Sequence, residues 1–160
     1  MEGADIICIG VLSMLLIWVT VTDLREQRIP NTLNLAIGAL GLAHVVIHSP
    51  NFRGMASALG AMLIAAVLFG GTAWVLRRIS ARSSIGMGDL KFLTAASLWV
   101  GWDGSVVILM IACLAAVTFS LAIAPWQGLD LRKMRPFGPM LAFGMIVVVT
   151  LSFHNQTMMR

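Results

Sequence analysis

Two acidic residues of this chain stand at the edges of long apolar segments. Asp23 closes the first such segment, and Asp89 opens a later one in the run Gly-Met-Gly-Asp at residues 86–89. Taken singly, either could be a helix cap, and Asp89 suits a helix N-terminus. Two carboxyl groups that face each other in a confined site cannot both ionise easily, so one keeps a proton. Such a pair can activate water and donate a proton, which is general acid–base chemistry.

The other titratable residues are weaker candidates. Glu26 and the remaining carboxylates fall in connections or near the ends of apolar segments, where solvated charges are expected. His44 and His48 are four residues apart without a carboxylate partner, a pattern more typical of packing than of metal ligation. No His-Glu-x-x-His motif occurs, which argues against a zinc protease. The sequence therefore predicts chemistry that needs neither metal nor cofactor.

The composition determines what kind of fold must hold these residues. Hydrophobic residues make up 59% of the chain and charged residues 11%, with a mean hydropathy of +0.91. Soluble domains average about 45–50% apolar and about 25% charged residues. A soluble globular protein is thereby excluded, and so is disorder, which needs low hydrophobicity. The chain is predicted to be an all-α integral membrane protein with one transmembrane domain over residues 1–160.

Six apolar segments are candidates for membrane spans. The fourth is too short to cross a hydrocarbon core of about 30 Å without help from its flanks. The sequence thus predicts a six-transmembrane-helix bundle with a short fourth helix. The predicted spans are Ala4–Thr22, Leu33–Ile47, Met55–Leu76, Leu90–Val100, Ser105–Ala124 and Gly138–Phe153.

Basic residues collect in alternate connections between the spans. The connections after the first, third and fifth spans hold most of the 11 Lys and Arg residues, so they are predicted to be cytoplasmic, with both termini outside. Orientation in lipid explains the net charge of +4, so no nucleic-acid partner is predicted, and an oligomer stays possible. Asp23 and Asp89 then lie on one side at similar depth, where bundle packing can bring them together.

Three motifs together resemble a known family. Residues 86–89 match the GxGD motif of intramembrane aspartyl proteases, and residues 23–31 look like the first-aspartate region of prepilin peptidases. Residues 135–142 are similar to the PFGP-containing segment of those enzymes. The resemblance implies a type IV prepilin peptidase of the bacterial inner membrane, with Asp23 and Asp89 as the catalytic pair. Its implied substrate is a prepilin or pseudopilin with a hydrophobic N-terminal segment, whose basic leader is removed at the cytoplasmic face.

The connection after the first span distinguishes two forms of that family. Larger members carry there an extra domain, usually with paired CxxC motifs, and also N-methylate the trimmed pilin. Only about ten residues separate Asp23 from Leu33 here, and no CxxC occurs. The chain resembles the compact peptidases of Tad/Flp pilus systems, with archaeal preflagellin peptidases as a close second, and no methyltransferase activity is predicted. Cys8 and Cys113 are predicted to be buried free thiols.

Substrate binding is predicted around the Gly-Met-Gly-Asp motif at residues 86–89 and around the Pro-Phe-Gly-Pro segment at residues 136–139. Gly86 and Gly88 lack Cβ atoms, so an extended substrate backbone could approach them closely. Irregular backbone at Pro136, Phe137, Gly138 and Pro139 could pair with such a strand, or it could be a plain loop with Pro139 in the first turn of a helix.

Three further residues near the motifs have more than one interpretation. Lys91 could reach towards the interface or bias the carboxyl pair electrostatically. Asn31, after Pro30, is read first as a helix cap and second as a substrate contact. Two other functions also stay open: a small proton-coupled transporter, although the mid-spans carry no charge, and a non-catalytic pilus-assembly scaffold.

Overall fold

The computed structural model describes residues 3–48, 51–79, 86–127 and 137–158, and these form five α-helices. α1 to α4 each contain a segment long and apolar enough to cross a membrane, and the apolar part of α5 is shorter. The described residues are thus helical and joined by short connections, as the composition predicts. In chain order the helices are α1 (Gly3–Glu26), α2 (Asn31–His48), α3 (Phe52–Ile79), α4 (Met87–Gln127) and α5 (Gly138–Met158).

A break at Gly101 divides the longest helix. α4 has 41 residues, which at about 1.5 Å per residue is roughly twice the thickness of the hydrocarbon core. Gly101 has φ 79° and ψ 174°, a conformation that favours glycine. Its carbonyl oxygen accepts a hydrogen bond of 3.0 Å from the Ser105 hydroxyl group. Residues 87–100 and 102–127 are therefore two helical segments, and the break falls between the predicted fourth and fifth spans.

α4 is the central element of the bundle. It packs against α2, α3 and α5, while α1 packs against α2 and α5. Ala65 of α3 and Ala112 of α4 are fully buried, and such small residues allow helices to approach closely. Apolar side chains cover much of the outer surface as well, as expected of helices that face lipid. The largest fully buried side chains are Leu16, Ile37, Phe92, Leu93, Ile108, Leu141 and Met145.

The connection between α1 and α2 is short and ordered. α1 continues past Asp23 to Glu26, and Gln27 ends it with a φ of 52° and a hydrogen bond of 2.9 Å from its amide to the Asp23 carbonyl oxygen. α2 begins at Asn31, so no domain is inserted between these two helices.

The two cysteines differ in their exposure. Cys8 is buried as predicted, but Cys113 is exposed, because its face of α4 is turned away from the neighbouring helices. The prediction that both thiols are buried is therefore wrong for Cys113. Part of the predicted basic connections, namely Arg82, Arg132, Lys133 and Arg135, lies outside the described residues.

Candidate active site

Asp23 and Asp89 line one cavity of about 900 Å³. The cavity lies at the end of the bundle where α1 ends and where α2, α4 and α5 begin. Thr72, near the C-terminal end of α3, also contributes to its wall, so every helix has an end at this site. The antiparallel course of the helices brings together two carboxyl groups that are 66 positions apart in the chain. The predicted convergence of the two aspartates is thus present in the structure.

The Asp23 carboxylate is held by the start of α5. Its side chain is 5% exposed, and Oδ2 accepts a hydrogen bond of 2.7 Å from the Gly138 backbone amide. Amides in the first turn of a helix lack partners within the helix, and the helix dipole favours a negative charge there. This contact satisfies a buried carboxylate oxygen and fixes the orientation of the group.

Gly138 is needed for that contact. A Cβ atom on Gly138 would lie 2.8 Å from both Cβ and Oδ2 of Asp23, closer than non-bonded atoms approach. Any other residue would push α1 and α5 apart or turn the carboxylate away. The structure therefore shows Gly138 positioning Asp23, and the predicted role of this glycine in substrate binding stays a prediction.

Asp89 lies in the first turn of α4. The Gly86 carbonyl oxygen accepts hydrogen bonds from the amides of Asp89 (3.2 Å) and Leu90 (3.4 Å), so Gly86 is the helix cap. A Cβ atom on Gly86 would lie 2.6 Å from Oδ2 of Asp89. The glycine thus leaves space for the carboxylate, which is only partly buried and faces the cavity.

Gly88 is close to the chain's own backbone. A Cβ atom there would lie 3.1 Å from Cβ of Ile29 and 3.3 Å from its carbonyl oxygen. Close packing against the α1–α2 connection is thus one reason for a glycine at this position. The predicted approach of a substrate backbone is a second, separate reason.

Asn34 was not among the sequence-predicted residues. Its side chain is buried, and Nδ2 donates a hydrogen bond of 3.2 Å to the Gly88 carbonyl oxygen, next to Asp89. Because 54 positions separate the two residues, no local pattern indicates this contact. The only signal in the sequence was a polar residue inside the otherwise apolar stretch of residues 33–43.

Asn31 and Lys91 form a second contact between α2 and α4, next to the Pro30 cap of α2. The Pro30 carbonyl oxygen accepts hydrogen bonds from the amides of Leu33 (3.1 Å) and Asn34 (3.4 Å), so the cap lies one residue before Asn31. Asn31 Oδ1 instead accepts a hydrogen bond of 2.8 Å from Lys91 Nζ. Asn31 and Lys91 both line the cavity, and both are exposed.

The segment before α5 is described from Phe137 onwards. Phe137 lines the cavity, and its carbonyl oxygen accepts hydrogen bonds of 3.1 Å from the amides of Met140 and Leu141. Pro139 lies in the first turn of α5, as predicted. Pro136 lies outside the described residues.

The histidines of α2 are elsewhere. The His44 ring stacks on His48 at 4.2 Å and on Trp99 at 5.1 Å between ring centroids. Both histidines are absent from the cavity lining. Within the described ranges, no group of three or more His, Cys, Asp and Glu side chains is arranged to hold a metal ion.

Comparison with known sequences identifies the family. The sequence model of the type IV leader peptidase family matches residues 10–121, which is most of the chain and includes both aspartates. The chain belongs to this family.

Similar proteins include three that are named prepilin leader peptidase/N-methyltransferase. The one from Burkholderia pseudomallei is 29% identical over 148 residues, 89% of this chain and 45% of the relative. Those from Pectobacterium carotovorum and Aeromonas salmonicida are 29% and 26% identical, and cover 83% and 81% of this chain. The chain spans about half the length of these relatives. No solved structure matches it.

Proposed function

We propose that this protein is an aspartyl endopeptidase that removes the short basic leader from type IV prepilins. The observation that carries the proposal is the shared cavity of Asp23 and Asp89 in a chain of the type IV leader peptidase family. The relatives carry leader peptidase in their names, and the matched segment includes both aspartates.

The two carboxyl groups are proposed to have different acid–base roles. One group, ionised, takes a proton from the attacking water, while the other, protonated, donates a hydrogen bond to the scissile carbonyl oxygen. Gly86 and Phe137 line the cavity together with the two aspartates, so an extended peptide is proposed to bind beside them. The proposed step uses only water and the two carboxyl groups.

We further propose that the break at Gly101 divides α4 into two spans, which makes six in total. Arg25, Arg28, Arg77 and Arg78 lie at the cavity end of the bundle, which supports a cytoplasmic site and termini outside. The protein would then reside in the bacterial inner membrane, with leader cleavage at its cytoplasmic face.

The proposed activity is cleavage without methylation. The basis for this proposal is the short α1–α2 connection, which holds no inserted domain. This favours a peptidase of the compact Flp type.

Co-expression with candidate prepilins tests the proposal. A mobility shift on a gel, with the new N-terminus read by sequencing, is the expected result. Cleavage should persist with a chelator and in the double variant Cys8→Ser, Cys113→Ser, because neither metal nor thiol takes part. Inactivation by a chelator that zinc reverses would mean a different chemistry. Proton-coupled flux without cleavage would indicate a transporter instead.

A further inference from the structure

A second cavity of about 890 Å³ runs along the surface of the bundle between α2, α3 and residues 87–100 of α4. We call it the α2–α3 groove. Small residues, including Gly38, Ala66 and Gly70, line it, and large apolar side chains such as Leu35 and Trp74 also contribute to its lining.

The groove is as long as a membrane is thick. On α3 its lining residues begin at Leu59 and end at Arg77, and they recur every three or four positions, so they form one stripe of the helix. At about 1.5 Å per residue this stripe is roughly 27 Å long, close to the hydrocarbon thickness of about 30 Å. A spanning helix has the length to fill the groove.

The groove adjoins the aspartate cavity. Both are lined by Asn31, Ala73, Met87, Leu90 and Lys91. A helix in the groove therefore ends next to the cavity that holds the two aspartates.

We propose that the α2–α3 groove binds the apolar helix that follows the cleaved bond of the prepilin. This inference rests on the proposed function. Because lipid tails are as apolar as leucine, helix association in membranes depends on close packing, which the small residues of the groove permit. Docking of the helix fixes the position from which the chain extends towards Asp89.

Two adjacent glycines of α3 provide a matched test. Gly70 lines the groove, whereas Gly71 lines neither cavity. Both are exposed, and no atom lies within 4 Å of a Cβ built on either. The same substitution at either position thus has the same effect on helix propensity. The two variants differ only in whether the new side chain points into the groove.

Disulfide crosslinking measures occupancy of the groove apart from cleavage. Gly70→Cys or Gly71→Cys would be placed in the Cys8→Ser, Cys113→Ser background, with Asp89→Asn to retain uncleaved substrate. The probe is a prepilin with a basic leader, an apolar segment of about 20 residues and one cysteine about seven residues past the cut. Gly70→Cys should crosslink at least about five times more than Gly71→Cys, a difference of about 1 kcal/mol in an equilibrium. Equal crosslinking yields, or no crosslink at either position, would overturn the proposal that the prepilin helix binds in the groove.

Kinetics separate this inference from the proposed function. Gly70→Trp should raise the KM for the same prepilin about tenfold with little change in kcat, whereas Gly71→Trp should leave both unchanged. An unchanged KM in Gly70→Trp would mean that lipid alone occupies the groove. Absence of cleavage by the wild-type chain, together with selective crosslinking at Gly70→Cys, would overturn the peptidase and leave the groove as a prepilin-binding site.

Discussion

Asp23 and Asp89 line the same cavity, but their surroundings differ. Asp23 is buried inside α1, close to its C-terminal end, and accepts a hydrogen bond from the first residue of α5. Asp89 is partly buried in the first turn of α4 and follows two glycines, Gly86 and Gly88. One carboxylate is oriented by tertiary packing, and the other is more open to whatever enters the cavity. A hydrolase needs both conditions, since one group must stay fixed while the site admits water and a peptide.

The largest effect is expected from replacing either carboxylate. Asp23→Asn and Asp89→Asn should each lower the cleavage rate by about 100- to 10,000-fold, because an amide cannot take either acid–base role. Asp23→Asn should still insert and fold, since the side-chain amide oxygen can accept a hydrogen bond from the Gly138 backbone amide. Asp89→Asn should do so because Asp89 is only partly buried.

Glu26→Gln is the matched control for these variants. Glu26 is exposed three positions after Asp23 and does not line the cavity. Prepilin cleavage by purified protein, with gel filtration as the check on folding, is the measurement. An equal loss in all three variants would contradict the assignment of the pair.

Gly138→Ala tests whether packing orients Asp23. The added methyl group meets Asp23 at 2.8 Å, so activity should fall at least about tenfold, with a loss of about 1–3 kcal/mol in the free energy of unfolding from overpacking. Gly10→Ala is a suitable control, because a Cβ atom at Gly10 has no neighbour within 4 Å. Full activity in Gly138→Ala would mean that the Gly138–Asp23 contact is dispensable.

Gly88→Val tests the more exposed of the two carboxyl groups, that of Asp89. A valine would press on Ile29 and narrow the cavity beside Asp89, so a loss of about tenfold is expected, with Gly88→Ala in between. If the substrate backbone passes Gly88, KM should rise; if only Ile29 is displaced, the melting temperature should fall at constant KM. Cleavage by Gly88→Val at the wild-type rate would mean that Gly88 has no role in docking the substrate.

Asn34→Leu should have a smaller effect than any of the changes at the aspartates and glycines. The variant removes one hydrogen bond to the Gly88 carbonyl oxygen, worth about 1 kcal/mol, so a loss of activity of about fivefold or less is expected. The Asn31→Leu variant is the control, because the Asn31–Lys91 contact is exposed and worth less. A larger loss in Asn31→Leu than in Asn34→Leu would reverse the ranking of these two contacts.

Much of the architecture follows from local sequence properties. Long apolar segments need helical hydrogen bonding in lipid, so composition and length predict the helices to within a few residues. The scarcity of carboxylates drew attention to Asp23 and Asp89, and the alternation of the basic connections assigned both to one end of the bundle.

The contacts that make the site were decided by tertiary structure. The Gly138 amide and Asp23 are 115 positions apart, and Asn34 and Gly88 are 54 apart, so no periodicity within one helix could pair them. The groove likewise depends on how α2 and α3 lie against α4. Apolar helices in lipid are not oriented by a hydrophobic face, and close packing of small residues sets which sides meet. For that reason the sequence determined which residues reach this end of the bundle, and the packing alone determined which of them touch.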